Sequence, residues 1–218
     1  GVFAVADGMG GHAAGEVASA IASELIGGRL CCLEEGEELE EARSLFYQAF
    51  LDAGSEIIRQ ASEDSARGGM GTTATVLALR PDDHYIVGHI GDSRAYLLRG
   101  DSFDRITTDH SWVEEQVERG MISREQAFRH PQSNIITRAL GTDPVPPPDL
   151  YVGELQADDR FLLCSDGLTD MVSEERIARV VRLVDVPETA ASRLVSEANL
   201  AGGIDNVTAL VVHIHPRD

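Results

Sequence analysis

The spacing of apolar residues changes several times along this chain, and the order of those changes limits the folds open to it. A continuously apolar run at 2–6 predicts a strand, and helical spacing then predicts two long helices, one from Ala13 and one over 38–63. Strand-like runs follow at 72–79, 85–90 and 95–98, and these are expected to form an antiparallel meander. Residues 110–140 mix helical and loop patterns. The rest predicts strands near 149–155 and 161–164, helices near 173–184 and 187–199, and a final strand at 207–214.

Helices and strands are therefore grouped rather than alternating, which predicts an α+β fold instead of a series of βαβ units. The chain has 218 residues and shows no repeat or interdomain linker, so we expect one domain over residues 1–218. It begins at Gly1, without Met and directly in a strand pattern. We therefore expect the domain to lack its N-terminal segment.

The charge and composition of the chain argue against several classes of protein. The formal net charge is −19 and all 18 basic residues are arginine, so no nucleic-acid partner is expected, because binding a phosphate backbone requires a basic surface. No apolar run reaches the roughly 18 residues of a membrane span, so no membrane insertion is expected. Cys31, Cys32 and Cys164 lack the spacing of a zinc site or a disulfide framework, which favours a reducing cytoplasm.

Four aspartates share one local design, in which an apolar strand pattern ends at the Asp and a small or polar residue follows. They are Asp7, Asp92, Asp166 and Asp205. Each one alone is more typical of a turn than of a ligand. If the strand ends meet, however, several carboxylates lie together and cations are needed to offset their repulsion. Because no His or Cys accompanies them, the pattern favours Mg²⁺ or Mn²⁺ over zinc.

Five segments, taken in order, carry a resemblance to a known family. They are Val5-Ala6-Asp7-Gly8-Met9-Gly10-Gly11-His12, Gly71-Thr72-Thr73, Gly91-Asp92-Ser93-Arg94, Ser165-Asp166-Gly167 and Asp205-Asn206. They closely resemble the motifs of bacterial type 2C (PPM-type) metal-dependent protein serine/threonine phosphatases, over almost the whole chain. The resemblance implies a phosphatase catalytic domain with a central antiparallel β-sandwich flanked by helical layers, in the order α/β/β/α.

The resemblance also implies how divalent cations are bound. Two central ions, Mg²⁺ or Mn²⁺, would be held by Asp7, the backbone carbonyl of Gly8, Asp166 and Asp205, with Asp7 bridging them. A glycine at position 8 would let the backbone approach an ion closely. A third, weaker ion would use Asp92 and Asp166, with Ser133 as an additional candidate ligand. The implied reaction is hydrolysis of phosphoserine and phosphothreonine in proteins by a metal-bridging hydroxide.

Other side chains near these motifs have less certain roles. His12 is the candidate proton donor to the leaving oxygen, and a structural hydrogen bond or a helix start is the alternative. Arg94 is expected to form a structural ion pair, with Asp92 the carboxylate at hand. His110 is expected to be structural, and Arg138 is unassigned. The segment from His110 to about residue 140 matches the family's variable flap, where substrate selection is expected.

The expected partners are phosphorylated protein substrates of a serine/threonine kinase, and the chain is expected to be a monomer. The alternative function is a pseudophosphatase or regulatory binding module of the same fold. That alternative is considered because the family's usual preceding segment, with its phosphate-contacting Arg, is not seen in this sequence. A dinucleotide-binding fold is a weaker rival. Its glycine motif is loosely matched by residues 8–13, but the second strand and the acidic residue that it requires are missing.

Overall fold

The structure is a computed structural model that describes residues 1–31, 33, 38–128 and 130–215, the side chain of His12 excepted. Cys32 and the mostly acidic residues 34–37 therefore lie outside the described residues. The strands are β1 (Val2–Val5), β2 (Gly8–Met9), β3 (Gly71–Thr72), β4 (Ala74–Leu79), β5 (His84–Ile90), β6 (Arg94–Arg99), β7 (Ser102–Arg105), β8 (Asp149–Glu154), β9 (Arg160–Cys164) and β10 (Ala209–His213). The helices are α1 (His12–Leu30), α2 (Leu39–Glu63), α3 (Trp112–Glu118), α4 (Arg124–Phe128), α5 (Asp166–Thr169), α6 (Glu174–Leu183) and α7 (Pro187–Leu200).

Local sequence signals explain where the long helices start. At α2, the side chains and backbones of Glu38 and Glu41 form a reciprocal capping box. At α6, the Ser173 side chain accepts a hydrogen bond from the backbone N–H of Arg176. Pro187 occupies the first turn of α7, where its missing N–H costs nothing. No helix in the described part of the chain is both long and apolar enough to cross a membrane.

Two four-stranded sheets form the centre of the molecule. The first has the order β1-β4-β5-β8 and the second the order β10-β9-β6-β7, while β2 pairs with β3. In the register, Val5 lies opposite Thr75, and Cys164 lies opposite both Arg94 and Ala209. All the strand pairings among the described residues are antiparallel. This arrangement excludes the doubly wound parallel sheet of a dinucleotide-binding fold.

The predicted meander is wrong at its third strand. β4 and β5 pair as expected, but β6 belongs to the second sheet and pairs with β9. The chain crosses between the sheets at Gly91, where φ is +108° and a Cβ would lie 2.6 Å from the Cβ of Thr73. Only glycine accommodates both the conformation and the contact. No strand was predicted from the sequence at the position of β7, which pairs with β6.

Three apolar clusters define four layers. The cluster between the sheets joins residues such as Leu77 of the first sheet to Phe161 of the second. Alternate residues of the first sheet, such as Ile86, face outward and pack against Phe46 and other residues of α1 and α2. On the opposite side, α6 and α7 pack against the second sheet through residues that include Leu194. The α+β fold and the α/β/β/α layering predicted from the sequence are confirmed.

Candidate metal centre

The four strand-end aspartates meet at one end of the sandwich. Asp7 follows β1 of the first sheet, and Asp92 lies in the crossing from β5 to β6. Asp166 follows β9 of the second sheet, and Asp205 lies in the loop before β10. Because the strands are antiparallel, four strand ends lie at the same end of the sandwich. They are the C-terminal ends of β1, β5 and β9 and the N-terminal end of β6. The fold therefore brings together carboxylates that are up to 198 residues apart in the chain.

Burial and mutual repulsion disfavour the charged forms of Asp7, Asp92 and Asp166. Desolvation, followed by the charges of Asp166 and Asp205, raises the pKa of Asp7 to about 7. Desolvation, followed by the charges of Asp166 and Asp109, raises the pKa of Asp92 to about 7. The pKa of Asp166 is raised by its burial and then by the charge of Asp205. A cation placed among these carboxylates would therefore stabilise them.

The oxygen atoms of this site fit a hard cation. Oδ1 of Asp166 is buried and has no hydrogen-bond partner in the described structure, which is costly for a polar atom. Within the described ranges, no three His, Cys, Asp or Glu side chains have the spacing of a complete metal cage. The donor atoms that meet here are carboxylate oxygens, which are the ligands that Mg²⁺ and Mn²⁺ prefer.

The Gly71-Thr72-Thr73 motif fixes the backbone of Asp7. The Thr72 hydroxyl and the Thr73 N–H both lie 2.9 Å from the Asp7 carbonyl oxygen. In return, the N–H of Asp7 donates to the Thr73 hydroxyl at 3.0 Å. The same hydroxyl lies 2.8 Å from Oγ of Ser93, the residue after Asp92. A motif without ionisable groups therefore ties the Asp7 backbone to the Asp92 turn.

Two glycines of the motifs are required by close packing. A Cβ at Gly8 would lie 2.0 Å from the carbonyl oxygen of Gly15 in α1. Close packing against α1 therefore requires glycine at position 8, a reason separate from the expected approach of an ion. A Cβ at Gly167 would lie 2.2 Å from the carbonyl oxygen of Asn206. The absence of a side chain at Gly167 therefore lets the loop that carries Asp166 pack against the loop that carries Asp205.

Arg94 forms a structural ion pair, as predicted, but with a different carboxylate. Its guanidinium contacts the buried Asp109, with Nη2 2.6 Å and Nε 3.0 Å from Oδ2. The two residues are 15 positions apart in the chain, and the expected partner, Asp92, is not the one that Arg94 contacts. Arg94 therefore carries no free charge toward the candidate site.

His110 and Arg138 form a second polar cluster behind the Asp92 turn. The Gly91 N–H donates to Nδ1 of His110 at 3.1 Å, and Nε2 of His110 lies 2.9 Å from Oδ2 of Asp149. These bonds give His110 the structural position that was expected. Arg138 pairs with the same Asp149 at 2.9 Å and does not line the cavity described below.

A cavity of about 630 Å³ opens beside the aspartates. Asp92, Asp166 and Ser133 line it together, so the structure brings Ser133 to the carboxylates expected for a third ion. Asp170 lines it too and was missed in the sequence analysis. Desolvation, followed by the charge of Asp166, raises the pKa of Asp170. Its position one helical turn after Asp166 was the sequence signal that could have identified it.

The flap supplies many of the other residues that line this cavity. Val113 and Val117 of α3 and the exposed Phe128 of α4 form an apolar surface there. Arg105 and Arg124 also line the cavity, and both lie within 3.4 Å of the carboxylate of Glu114. The cavity is thus lined by acidic residues and by a flap surface that is partly apolar. The side chain of His12 lies outside the described residues, so its role stays a prediction.

Comparison with known proteins places the chain in a family. Its residues 1–207 match the protein phosphatase 2C family. It is 38% identical to the serine/threonine phosphatase stp of Listeria innocua, over 97% of this chain and 83% of that one. It is 40% identical to the protein phosphatase PhpP of Streptococcus pneumoniae, over 98% of this chain and 86% of that one.

Solved structures agree with the sequence matches. The Mycobacterium tuberculosis serine/threonine phosphatase PstP/Ppp superposes with a TM-score of 0.91 at 40% identity, over 99% of this chain and 88% of that one. The catalytic domain of PstP in complex with 2 manganese ions superposes with a TM-score of 0.86 at 37% identity, over 98% of this chain and 87% of that one. With its layered sandwich and its aspartates at one end, this chain belongs to the protein phosphatase 2C family.

Proposed function

We propose that this chain hydrolyses phosphoserine and phosphothreonine in proteins, in a reaction that depends on Mg²⁺ or Mn²⁺. The observation that carries the proposal is the meeting of Asp7, Asp166 and Asp205 from both sheets of the sandwich. Two of these carboxylates have raised pKa values, and Asp166 presents a buried oxygen without a hydrogen-bond partner. Family membership supports the same reaction, as do relatives named serine/threonine phosphatases.

Bound divalent cations would lower the pKa of a coordinated water and neutralise the oxygens of the phosphoryl group. Asp7, Asp166, Asp205 and the Gly8 carbonyl would hold the two central ions. Asp92 and Asp166 would hold a third ion, with Ser133 and Asp170 beside it on the wall of the cavity. His12 would donate a proton to the leaving oxygen.

Residues outside the ligand set keep these carboxylates in place. Thr72 and Thr73 hold the backbone of Asp7 through three contacts of 2.9–3.0 Å. The contact of Gly167 with the Asn206 carbonyl keeps Asp166 and Asp205 on adjacent loops. These supports matter because a ligand set functions only when its geometry is fixed by its surroundings.

A pseudophosphatase of the same fold is the alternative, and the site argues against it. A binding module has no need for several half-buried carboxylates that repel one another, since their partial burial costs stability. This chain keeps all four strand-end aspartates and the threonines that hold Asp7. Catalysis is therefore the function that this geometry supports best.

We also propose the setting in which the enzyme works. A serine/threonine kinase would supply the substrates, because the reaction consumes what such a kinase produces. The protein would act as a monomer in the cytoplasm. Its described cysteines, Cys31 and Cys164, are free thiols, and burial raises the pKa of Cys164 to about 12. Free thiols are compatible with a reducing compartment.

Phosphate release from a phosphothreonine peptide tests the proposed function. Mn²⁺ or Mg²⁺ should support turnover, and a chelator should abolish it reversibly. Asp166→Asn should lose turnover while keeping its circular dichroism spectrum, whereas Glu24→Gln, which changes an exposed carboxylate on α1, should behave as wild type. Turnover that persists in chelator, or that requires a thiol reductant, would contradict the proposal.

A further inference from the structure

A row of arginines follows one face of α6. Arg176, Arg179 and Arg182 recur every three residues and line a groove of about 600 Å³, together with Glu175 and Leu183. Because an α-helix rises 1.5 Å per residue, consecutive arginines are about 4.5 Å apart along the axis. In a chain with a net charge of −19, this basic row is a local exception.

Two of the three charges have no carboxylate partner. Arg176 pairs with Glu197 at 2.7 Å. Arg182 donates to the backbone carbonyl of Asp101 at 2.7 Å, and this bond leaves its charge uncompensated. Arg179 is exposed and makes neither an ion pair nor a side-chain hydrogen bond with any residue in the described ranges. Both guanidinium groups are therefore available to an anionic ligand.

The groove adjoins the cavity of the candidate metal centre. Ser173 lines both, and it is also the capping residue of α6. The helix therefore leads outward from the rim of the aspartate-lined cavity. Arg179 lies about 9 Å and Arg182 about 13 Å beyond Ser173 along the helix axis. An extended peptide, which advances about 3.3 Å per residue, would reach them roughly three and four residues past the rim.

We propose that the groove along α6 binds an acidic segment of the phosphoprotein substrate, three or more residues from the phosphorylated Ser or Thr. This inference rests on the proposed phosphatase function and adds a substrate class to it. An acidic segment is repelled by most of a protein with this charge, so a basic row beside the site would select and orient it. Carboxylate side chains of the substrate would pair with Arg179 and Arg182.

Charge reversal at the two unpaired arginines tests the proposal. The variant is Arg179→Glu with Arg182→Glu, and the matched control is Arg29→Glu with Arg43→Glu, which changes the net charge equally on the opposite helical layer. Substrates are phosphothreonine peptides with three Glu on the N-terminal side, with three Glu on the C-terminal side, or with Gln in place of Glu, together with p-nitrophenyl phosphate. Initial rates in Mn²⁺ give kcat and KM for each.

The variant should lower kcat/KM for one of the Glu peptides by about tenfold, mainly through KM, and raised salt should lower wild-type activity on the same peptide. The Gln peptide, p-nitrophenyl phosphate and the control variant should be unaffected. Equal wild-type kcat/KM for Glu and Gln peptides, or the same loss in the control variant, would overturn the proposal.

The two proposals fail in different ways. Absence of hydrolysis for every substrate in Mn²⁺ would refute the phosphatase function. Fluorescence anisotropy of a labelled Glu peptide, measured in chelator, would still report whether binding requires Arg179 and Arg182. Binding that the reversal leaves unchanged would reject the groove, and an oligonucleotide that displaces the Glu peptide at lower concentration would assign the groove to nucleic acid instead.

Discussion

Asparagine at position 7 would keep the shape of the Asp7 side chain and remove its negative charge. Burial and the charges of Asp166 and Asp205 raise the pKa of Asp7 from 3.8 to about 7. Above that pH the metal-free folded protein holds a carboxylate that its surroundings disfavour. The difference between the two pKa values sets an upper limit of about 4 kcal/mol, and solvent screening lowers it because Asp7 is only half-buried. Asp7→Asn should therefore stabilise the metal-free protein at alkaline pH.

The direction of the pH dependence follows from proton counts. Between about pH 4 and pH 7 the folded protein binds more protons at Asp7 than the unfolded chain does, so the free energy of unfolding falls as pH rises. Burial lowers the pKa of His89 to about 3, which acts in the opposite direction over part of this range. The difference between Asp7→Asn and wild type cancels the His89 contribution. This difference should grow from about pH 5 to about pH 8, with about 3 kcal/mol as the upper limit.

Urea unfolding in chelator at the two pH values measures this difference, with Glu24→Gln as the control for loss of an exposed carboxylate. Added Mn²⁺ should reverse the order of stability, because wild type gains binding free energy and the variant has lost a ligand. If the difference does not change with pH, or if Asp7→Asn is the less stable protein at about pH 8 in chelator, Asp7 is not a destabilised carboxylate and the electrostatic reasoning is refuted.

Four other substitutions probe the predicted ligands and the residues that support them. Gly167→Ala would place a methyl group 2.2 Å from the Asn206 carbonyl oxygen, so urea unfolding should show a loss of about 1–3 kcal/mol and calorimetry weaker Mn²⁺ binding. Asp205→Ala should remove most turnover, because Asp205 is a predicted ligand of the central ions. Asp92→Ala should leave calorimetric binding of the central ions near normal; loss of that binding would disprove the assignment of Asp92 to the third ion alone. Arg94→Met would leave the buried Asp109 with Arg105 at 3.4 Å and should cost about 3 kcal/mol; an unchanged urea midpoint would show that the pair contributes no stability.

The layers could be predicted because their signals are local. The helical spacing of α1 and α2 and the apolar runs of β1, β5 and β9 are readable in windows of a few residues. The sheet to which β6 belongs was not readable in this way. It depends on how Gly91 packs against Thr73, which precedes it by 18 residues and lies just before β4. β7 carries the short sequence Ser-Phe-Asp-Arg, which is too polar to stand out as a strand.

The site residues, too, were predictable only where the signal was local in the sequence. Asp7, Asp92, Asp166 and Asp205 stood out because each ends an apolar run at a small residue, a pattern visible in four positions. The partner of Arg94 did not, because the fold selects Asp109 over the sequence neighbour Asp92. Asp170 lacked the preceding apolar run, and only the cavity shows that it faces the other carboxylates. Tertiary contacts between polar residues were therefore the part that the sequence could not supply.

Asp7 ends a strand of one sheet, and Asp166 ends a strand of the other. Any ion held by both side chains is therefore a cross-link between the two halves of the sandwich, which otherwise meet through apolar contacts such as those of Leu77 and Phe161. Packed sheets can shift as rigid bodies, and a cross-link at one end restricts that movement. Metal binding should consequently slow deuterium exchange at the amides of Leu77 and Phe161. Its effect would then extend from the aspartates into the core between the sheets.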